Sequence, residues 1–522
     1  METFQWVIAL LLAAVALAAL ARRMGAPYPT FLAVGGMGLA FVPHAPGWTL
    51  EPDLALAVFV APILLDAAYD TSVRDMKDNW LPIASLVIVA VSVTTLGVAF
   101  VARWLVPDMP WPVAIALGAI VAPPDAGAAT SVLRQAGLPH RLLKILEGES
   151  LLNDASALLI YRLAIGAVLA GGFSLGDVAP TFLLGVAGSL IAGPALAFVW
   201  QRFFPVLHDA PSAIIVQFAM TFAIWIAAER VGLSGILTVV SYGIAIARRA
   251  PIRTPARLRV PSYAVWETAV FVLNAFAFML IGMQLAPIWQ RLSPALRNEY
   301  VVFALTVLAT VILVRVAWVM LYNTLNRIKI AYLGYGPIRP LMRPTARGGL
   351  IISWSGMRGI VTLAAAFAIP ETLPGGAAFP YRDLILLTAF AVVLGTLVIQ
   401  GLTLRPLILA FGLDDGNPIG LEIGRARAAA YRAALVAIDA DDTIEAKLLR
   451  KEYARLVQSA QEDPKGLAPS QLPADPLRRR AIEAARLHAH DLRLSGDIGD
   501  DAYHILEEEF DWAELSAQNS HA

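Results

Sequence analysis

Long apolar runs recur along the chain and limit what it can fold into. The first, FQWVIALLLAAVALAAL, is followed by many others, most of them close to the roughly 20 residues with which a helix crosses the hydrocarbon layer. Hydrophobic residues make up 58% of the chain and charged residues 15%, and a membrane β-barrel would show short alternating segments instead. The sequence therefore predicts an all-α, polytopic membrane protein.

Thirteen membrane-spanning helices are predicted, near residues 4–21, 28–45, 52–69, 80–105, 111–133, 146–171, 179–204, 212–229, 232–247, 263–288, 299–322, 348–370 and 383–411. With the N-terminus outside, 18 Lys and Arg residues fall in inner loops and 5 in outer loops or span ends. Such an excess of basic residues marks the cytoplasmic side. An odd number of spans then places the C-terminus in the cytoplasm.

The character of the chain changes after residue 411. Residues 412–522 carry 13 Lys and Arg against 21 Asp and Glu, and the stretches IGRARAAAYRAALVAI, EAKLLRKEYARLVQ and DPLRRRAIEAARLHAHDLRL have helical periodicity. We therefore predict two domains, a transmembrane domain at 1–411 and a cytoplasmic helical tail at 412–522 that regulates the protein or binds a regulator. A loosely ordered, solvated extension is the alternative.

Ionisable side chains far from the span ends are the informative ones, because a charge in hydrocarbon is expensive unless it is paired or hydrated. Five residues meet this description: Asp66, Asp125, Asp154, Arg315 and Arg358.

Asp125 directly follows Pro123 and Pro124 near the middle of a predicted span. Two prolines remove two amide donors and push the preceding residues out of helical geometry, so the helix should break there. Transporters coordinate ions at such breaks. A simple proline kink, with Asp125 satisfied by a neighbouring helix, is the alternative.

The next span carries the polar residues Glu149, Ser150, Asn153 and Asp154. A spacing of four places Ser150 with Asp154 on one helix face and Glu149 with Asn153 on an adjoining face. Carboxylate, hydroxyl and amide oxygens suit a hard cation such as sodium, and no His or Cys lies nearby to favour zinc or copper. Because a buried carboxylate can hold either a proton or a cation, competition between the two predicts an exchange mechanism.

Arg358 needs an anionic partner inside the membrane. We predict that Glu149 is this partner, which leaves Asp154 able to titrate; if both acids were tied to arginines, the site would be structural. Arg315 either pairs with a core carboxylate or caps a carbonyl group. Asp66 belongs either to the wall of the cavity or to the cytoplasmic end of its helix.

Several segments, taken in order along the chain, resemble the sodium/proton antiporters of the NhaP and NHE type. The longest of them is GAIVAPPDAGAATSVLRQAGLPHRLLKILEGESLLNDASALLIYRL. Others are FVAPILLDAAYDTSVRDMKDNW, SWSGMRGIVTLAAAFAIP and LVIQGLTLRPLI. The resemblance implies a homodimer, each chain having thirteen helices in two inverted repeats. It also implies two broken helices that cross in the core, at Pro124–Asp125 and at Gly356–Gly359.

The resemblance also assigns roles to residues. It makes Asp154 the cation and proton carrier, with Ser150 and Asp125 as further ligands of the transported cation and Asp66 as a nearby acidic wall. It makes Glu149 and Arg358 a core ion pair. Asn153, where some relatives have a second aspartate, is associated in the family with electroneutral exchange of one proton for one cation.

Two departures from the family pattern concern the ion site. The family usually has Thr-Asp-Pro where this chain has Pro124-Asp125-Ala126, and many bacterial relatives have a glutamate at the position of Asp66. Because selectivity depends on ligand number and cavity size, the exchange reaction is predicted more firmly than the ion.

Sodium or lithium is the first choice of transported ion, and potassium is the alternative. A channel-like potassium efflux protein gated by the tail is the competing function. Nothing in the sequence indicates an enzyme, a cofactor or a nucleic-acid partner. The lipid bilayer of the cell membrane is the expected surroundings.

Overall fold

The computed structural model describes residues 2–42, 52–125, 127, 129, 133, 137–169, 175–203, 209–248, 254–334, 344–373, 376–413, 418–462, 475–495, 497 and 500–517. These residues form two compact units, Met1–Leu413 and Asp414–Ala522.

The described part of the first unit is built from helices, with one β-bridge between Thr372 and Ala378. The helices are α1 (Glu2–Met24), α2 (Tyr28–Leu39), α3 (Pro52–Ala55), α4 (Ala61–Tyr69), α5 (Val73–Asp78), α6 (Trp80–Ala84), α7 (Val91–Leu105), α8 (Trp111–Val121), α9 (His140–Leu169), α10 (Leu175–Phe203), α11 (Ala210–Arg230), α12 (Gly235–Ala247), α13 (Ala256–Met283), α14 (Leu285–Arg291), α15 (Arg297–Leu333), α16 (Ala346–Trp354), α17 (Ile360–Phe367) and α18 (Arg382–Phe411). Turns of π-helix at Leu56–Val60 and Ser85–Ala90 join α3 to α4 and α6 to α7.

The predicted all-α membrane fold is confirmed. Eight helices among the described residues are long and apolar enough to cross a membrane, and three apolar helices are shorter, at Leu56–Tyr69, Trp111–Val121 and Gly235–Ala247. Each of the thirteen predicted ranges contains helical residues. The number of thirteen crossings stays a prediction.

Helix α9 begins before the predicted start of its span, at His140 rather than at residue 146. Gly137 adopts a left-handed conformation, with φ of 69°, and Pro139 precedes the first helical residue, so the chain turns here and enters the helix directly. Hydropathy alone misses this first part of the helix because His140, Arg141 and Lys144 are charged or polar. Glu149 consequently lies well inside the helix.

Two glycines let α2 and α13 approach each other closely. Gly36 faces the backbone of Met279, and Gly282 faces the backbone of Ala33 and Met37; a Cβ atom on either glycine would overlap those atoms. Small residues at helix contacts are how membrane helices pack tightly, because lipid provides little hydrophobic driving force for their association.

The second unit contains α19 (Pro418–Ala437), α20 (Ile444–Glu462), α21 (Asp475–Ser495) and α22 (Asp500–Ala517). Helix α19 packs on α20, and α21 packs on α22. Arg486 joins the second pair through Asp511 at 2.6 Å and Glu514 at 2.8 Å. The helical character predicted for this part is therefore confirmed, while residues 463–474, between the second and third of these helices, lie outside the described residues.

Gly282→Val should destabilise the transmembrane unit, since the new side chain forces α2 away from α13. We expect a loss of about 2–3 kcal/mol and a lower midpoint of thermal unfolding in detergent. Gly38→Val is the matched control, because Gly38 is an exposed glycine on α2 and a Cβ atom added to it would have nothing within 4 Å. Equal melting temperatures for the two variants would contradict the close approach.

Candidate functional site

Two helices of the first unit are interrupted where the sequence predicts it. Helix α8 ends at Val121, and residues 122–125 continue without helical structure through Pro123 and Pro124. The second interruption separates α16 from α17 at residues 355–359. The prolines explain the first interruption, because they cannot donate amide hydrogen bonds; Gly356 and Gly359 loosen the second.

The two interruptions touch each other. The backbone amide of Asp125 donates a hydrogen bond of 2.6 Å to the carbonyl oxygen of Met357. The Asp125 carboxylate lies against Gly359, and a Cβ atom on that glycine would overlap the Oδ2 atom. Glycine is thus required at position 359 for the close approach, and the predicted meeting of the two breaks is confirmed.

Arg358 is completely buried, with 0% exposure, between the two breaks. Its guanidinium donates hydrogen bonds to the carbonyl oxygens of Val121 at 3.1 Å and Ala122 at 3.3 Å, and to that of Gly356. Val121 and Ala122 form the C-terminal end of α8, where carbonyl groups lack intrahelical partners and a positive charge is favoured. Arg358 therefore caps the first half of the broken helix.

Glu149 pairs with Arg315, and this corrects the predicted pair of Glu149 with Arg358. Two parallel hydrogen bonds join the guanidinium and the carboxylate, at 2.6 Å and 2.8 Å, and Arg315 and Glu149 are 2% and 1% exposed. Arg315 also donates to the carbonyl oxygens of Ser353 and Ile352, at 3.2 Å and 3.1 Å. Both alternatives considered for Arg315 are thus realised in one side chain.

The incorrect pairing has a physical cause. A buried arginine requires acceptors rather than a carboxylate in particular, and the carbonyl groups that a helix break exposes are acceptors too. Those carbonyls engage the Arg358 guanidinium, so Glu149 is left to the other buried arginine. In the sequence, the position of Arg315 in the middle of a span is the signal that it needs a buried partner such as Glu149.

Asn153 ties α9 to the first break. Its side-chain Nδ2 donates a hydrogen bond of 2.6 Å to the carbonyl oxygen of Pro124. The residue is 0% exposed, and its Oδ1 atom has no hydrogen-bond partner among the described residues. The side-chain oxygen of Asn153 is therefore held in place without a hydrogen bond to any described residue.

Asp154, the next residue on α9, is partly buried. Among the described residues, none donates a hydrogen bond to its carboxylate or forms an ion pair with it, and Asp125 is the charged group that acts on it through space. The structure thus brings Asn153, Asp154 and Asp125 together. If Glu149 and Asp154 were both paired with arginines, the site would be structural. Among the described residues, Glu149 has such a pair and Asp154 does not.

Ser150 and Asp66 are the remaining residues predicted for the site. Ser150 is partly buried one helical turn before Asp154, and this spacing places the two on one face. Asp66 is partly buried in the last turn of α4, an element that packs on α9. Its role as an acidic wall stays a prediction.

The oxygen donors gathered here suit one class of ligand. Two carboxylates and an amide oxygen come from α9 and the first break, and all are hard ligands. No cluster of three or more His, Cys, Asp or Glu side chains that could hold a metal ion occurs within the described ranges. This donor set suits a small, hard cation.

A known family covers the transmembrane unit. The family model described as "Sodium/hydrogen exchanger, transmembrane" matches residues 8–410. The chain belongs to the sodium/hydrogen exchanger family. Membership confirms the resemblance noted in the sequence and the prediction of a transporter rather than an enzyme.

Two similar proteins are named as antiporters. The "Sodium, potassium, lithium and rubidium/H(+) antiporter" of Bacillus pumilus is 29% identical over 536 residues, which cover 100% of this chain and 79% of the relative. The "Na(+)/H(+) antiporter ApNhaP" of Aphanothece halophytica is 29% identical over 402 residues, which cover 74% of this chain and 70% of the relative.

A solved structure has the same fold. The sodium proton antiporter MjNhaP1 from Methanocaldococcus jannaschii superposes with a TM-score of 0.60 at 16% sequence identity, covering 78% of this chain and 98% of the other.

Removing one member of the Glu149–Arg315 pair should destabilise the protein strongly, because the other charge is left buried without compensation. We expect Glu149→Met and Arg315→Met each to cost about 3–5 kcal/mol, measured as folded yield and thermal unfolding in detergent. The double variant Glu149→Met/Arg315→Met should be less damaged than either single variant.

Two controls accompany this experiment. Arg162 pairs with Glu229 at 2.7 Å but its side chain is 57% exposed, so Arg162→Met should cost less than about 1 kcal/mol. Rescue of Glu149→Met by Arg358→Met rather than by Arg315→Met would contradict the Glu149–Arg315 pair and indicate that Glu149 pairs with Arg358.

Proposed function

We propose that the protein is a secondary active antiporter that exchanges protons for sodium or lithium across the cell membrane, with potassium as the alternative cation. The observation that carries this proposal is the Asp154 carboxylate, which lies beside the two helix breaks without a cationic partner among the described residues. Such a carboxylate binds either a proton or a cation, so that each displaces the other. The relatives named as antiporters support the same reaction.

Each site residue has a proposed role. Asp154 carries the proton or the cation, and Asp125 and Ser150 supply further oxygens to the cation. Asn153 holds α9 against the first break through its amide nitrogen and offers its oxygen, which no described residue engages. Asp66 forms an acidic wall nearby.

The buried arginines serve the scaffold in this proposal. Arg315 neutralises Glu149, and Arg358 caps the end of α8. Neither guanidinium donates a hydrogen bond to Asp154, so the carrier carboxylate keeps its freedom to exchange ligands.

The proposal extends to the transport cycle and the assembly. Exchange is electroneutral, one proton for one cation, and proceeds by elevator-like alternating access in a homodimer. The N-terminus lies outside and the tail lies in the cytoplasm, where it regulates exchange. Potassium stays open as a substrate because the name of one relative includes it; a potassium channel gated by the tail is not favoured, since the relatives are named as antiporters.

Asp154→Asn should abolish exchange, because an amide can neither release a proton nor balance a cation. The measurement uses purified protein in liposomes, with an internal pH dye that reports proton movement on addition of sodium, lithium, potassium or choline. Asp78→Asn, at an exposed position, is the control and should exchange at the wild-type rate. Wild-type exchange by Asp154→Asn would refute the proposal, and flux without proton movement would favour the channel.

Electroneutral exchange should be indifferent to the membrane potential. Valinomycin with equal potassium on both sides removes any potential that exchange builds up, and we expect the sodium-driven pH change to proceed at the same rate with and without it. Asn153→Asp adds a carboxylate beside Asp154 and tests whether this balance depends on the neutral amide. Wild-type exchange that accelerates with valinomycin would show net charge movement and contradict the one-to-one stoichiometry.

A further inference from the structure

One face of α18 holds both ends of the second helix break. Thr396, Gln400 and Thr403 follow each other at intervals of four and three residues and therefore share a face. The Thr396 hydroxyl accepts a hydrogen bond of 3.0 Å from the backbone amide of Arg358. The Thr403 hydroxyl accepts one of 2.8 Å from the indole nitrogen of Trp354, the last residue of α16.

Gln400 lies between Thr396 and Thr403 on this face and takes no part in either hydrogen bond. It is 0% exposed, and both its side-chain oxygen and its side-chain nitrogen are buried without a hydrogen-bond partner. In the part of the chain that the structure describes, no other side chain leaves two polar atoms in this condition. Burying an amide without partners is unfavourable, whereas leucine or methionine would fill similar volume without that penalty.

The neighbouring break offers polar groups that change partners if it moves. The carbonyl oxygen of Met357 is engaged by the Asp125 amide, and that of Gly356 by the Arg358 guanidinium. The first bond joins the two breaks to each other, whereas the second lies within one break. A shift of one break against the other would release the Met357 carbonyl inside the membrane, where an unpaired backbone group is costly.

We infer that Gln400 is a positioning residue of the transport cycle: its amide hydrogen-bonds to the peptide groups of residues 355–359 in the conformation in which the ion site faces the other side. The inference rests on the proposed antiport, since it requires a second conformation. Thr396 and Thr403 hold the break in the present state, and Gln400 supplies a donor and an acceptor for the other. Gln400 therefore has no hydrogen-bond partner among the described residues in the present conformation and gains partners in the other one.

The test compares exchange rate with stability in Gln400→Met. Because Gln400 makes no bond with the described residues in the present state, the variant should melt at or above the wild-type temperature. Its maximal rate of sodium-driven proton exchange in liposomes should fall about tenfold, the loss expected for removing hydrogen bonds that stabilise one state of a cycle. The KM for sodium should not rise, because the site of the present state is intact.

Three further variants complete the design. Gln400→Leu repeats the substitution with a different shape, in case methionine packs poorly. Thr388→Val is the matched control on α18, because Thr388 is also 0% exposed but donates to its own helix, to Leu384 at 2.7 Å; it should exchange like the wild type. Asp154→Asn sets the zero level of exchange.

The outcomes separate the inference from the function on which it rests. Slower exchange with undiminished stability in Gln400→Met or Gln400→Leu supports the inference. Wild-type rates in both variants overturn it and leave the antiport proposal standing. A lower melting temperature in both variants also overturns it, because Gln400 would then be bonded in the present state, for example to an internal water. Absence of exchange in the wild type overturns both.

Discussion

The first unit depends on two arginine side chains that are buried among helix ends. Arg358 fills the gap left where α8 stops, by donating to the carbonyl groups of Val121 and Ala122. Arg315 reaches the end of α16 through the carbonyl groups of Ile352 and Ser353 and holds Glu149 of α9 at the same time. A broken helix inside a membrane has unpaired carbonyl groups that lipid cannot satisfy, so without these guanidinium groups the two breaks could not lie side by side.

The hydrogen bonds of the two arginines determine which carboxylate is left without an arginine partner. Had Arg358 needed a carboxylate, it would have drawn Glu149 or Asp154 out of their present positions. Because backbone carbonyls hold it instead, Glu149 is free to pair with Arg315, and Asp154 is left with Asp125 as its charged neighbour. Asn153 adds the last constraint, since its bond to Pro124 fixes the register between α9 and the first break.

The sequence predicts the helices and the first break well because these depend on local chemistry. Apolar runs give the spans and Pro123-Pro124 gives the first break, whereas the second break is predicted from the resemblance to the sodium/proton antiporters. Partners depend on how helices are arranged, so the sequence alone does not decide which of the two buried arginines pairs with Glu149. The start of α9 escapes prediction for a related reason, since a hydropathy pattern does not distinguish a polar first turn from a loop.

The arrangement of charges also bears on stoichiometry. Glu149 and Arg315 cancel each other within one hydrogen-bonded pair. The Asp125 carboxylate lies against the backbone of Gly359 and acts through space on Asp154. No described residue forms an ion pair with Asp154, and a single proton or a single monovalent cation neutralises its charge equally well. Since a buried net charge is strongly disfavoured, neutralisation by either ion supports the proposed exchange of one proton for one cation. A second carboxylate in place of Asn153 would leave one negative charge in the loaded site, and the same reasoning would then require an additional positive charge for each crossing.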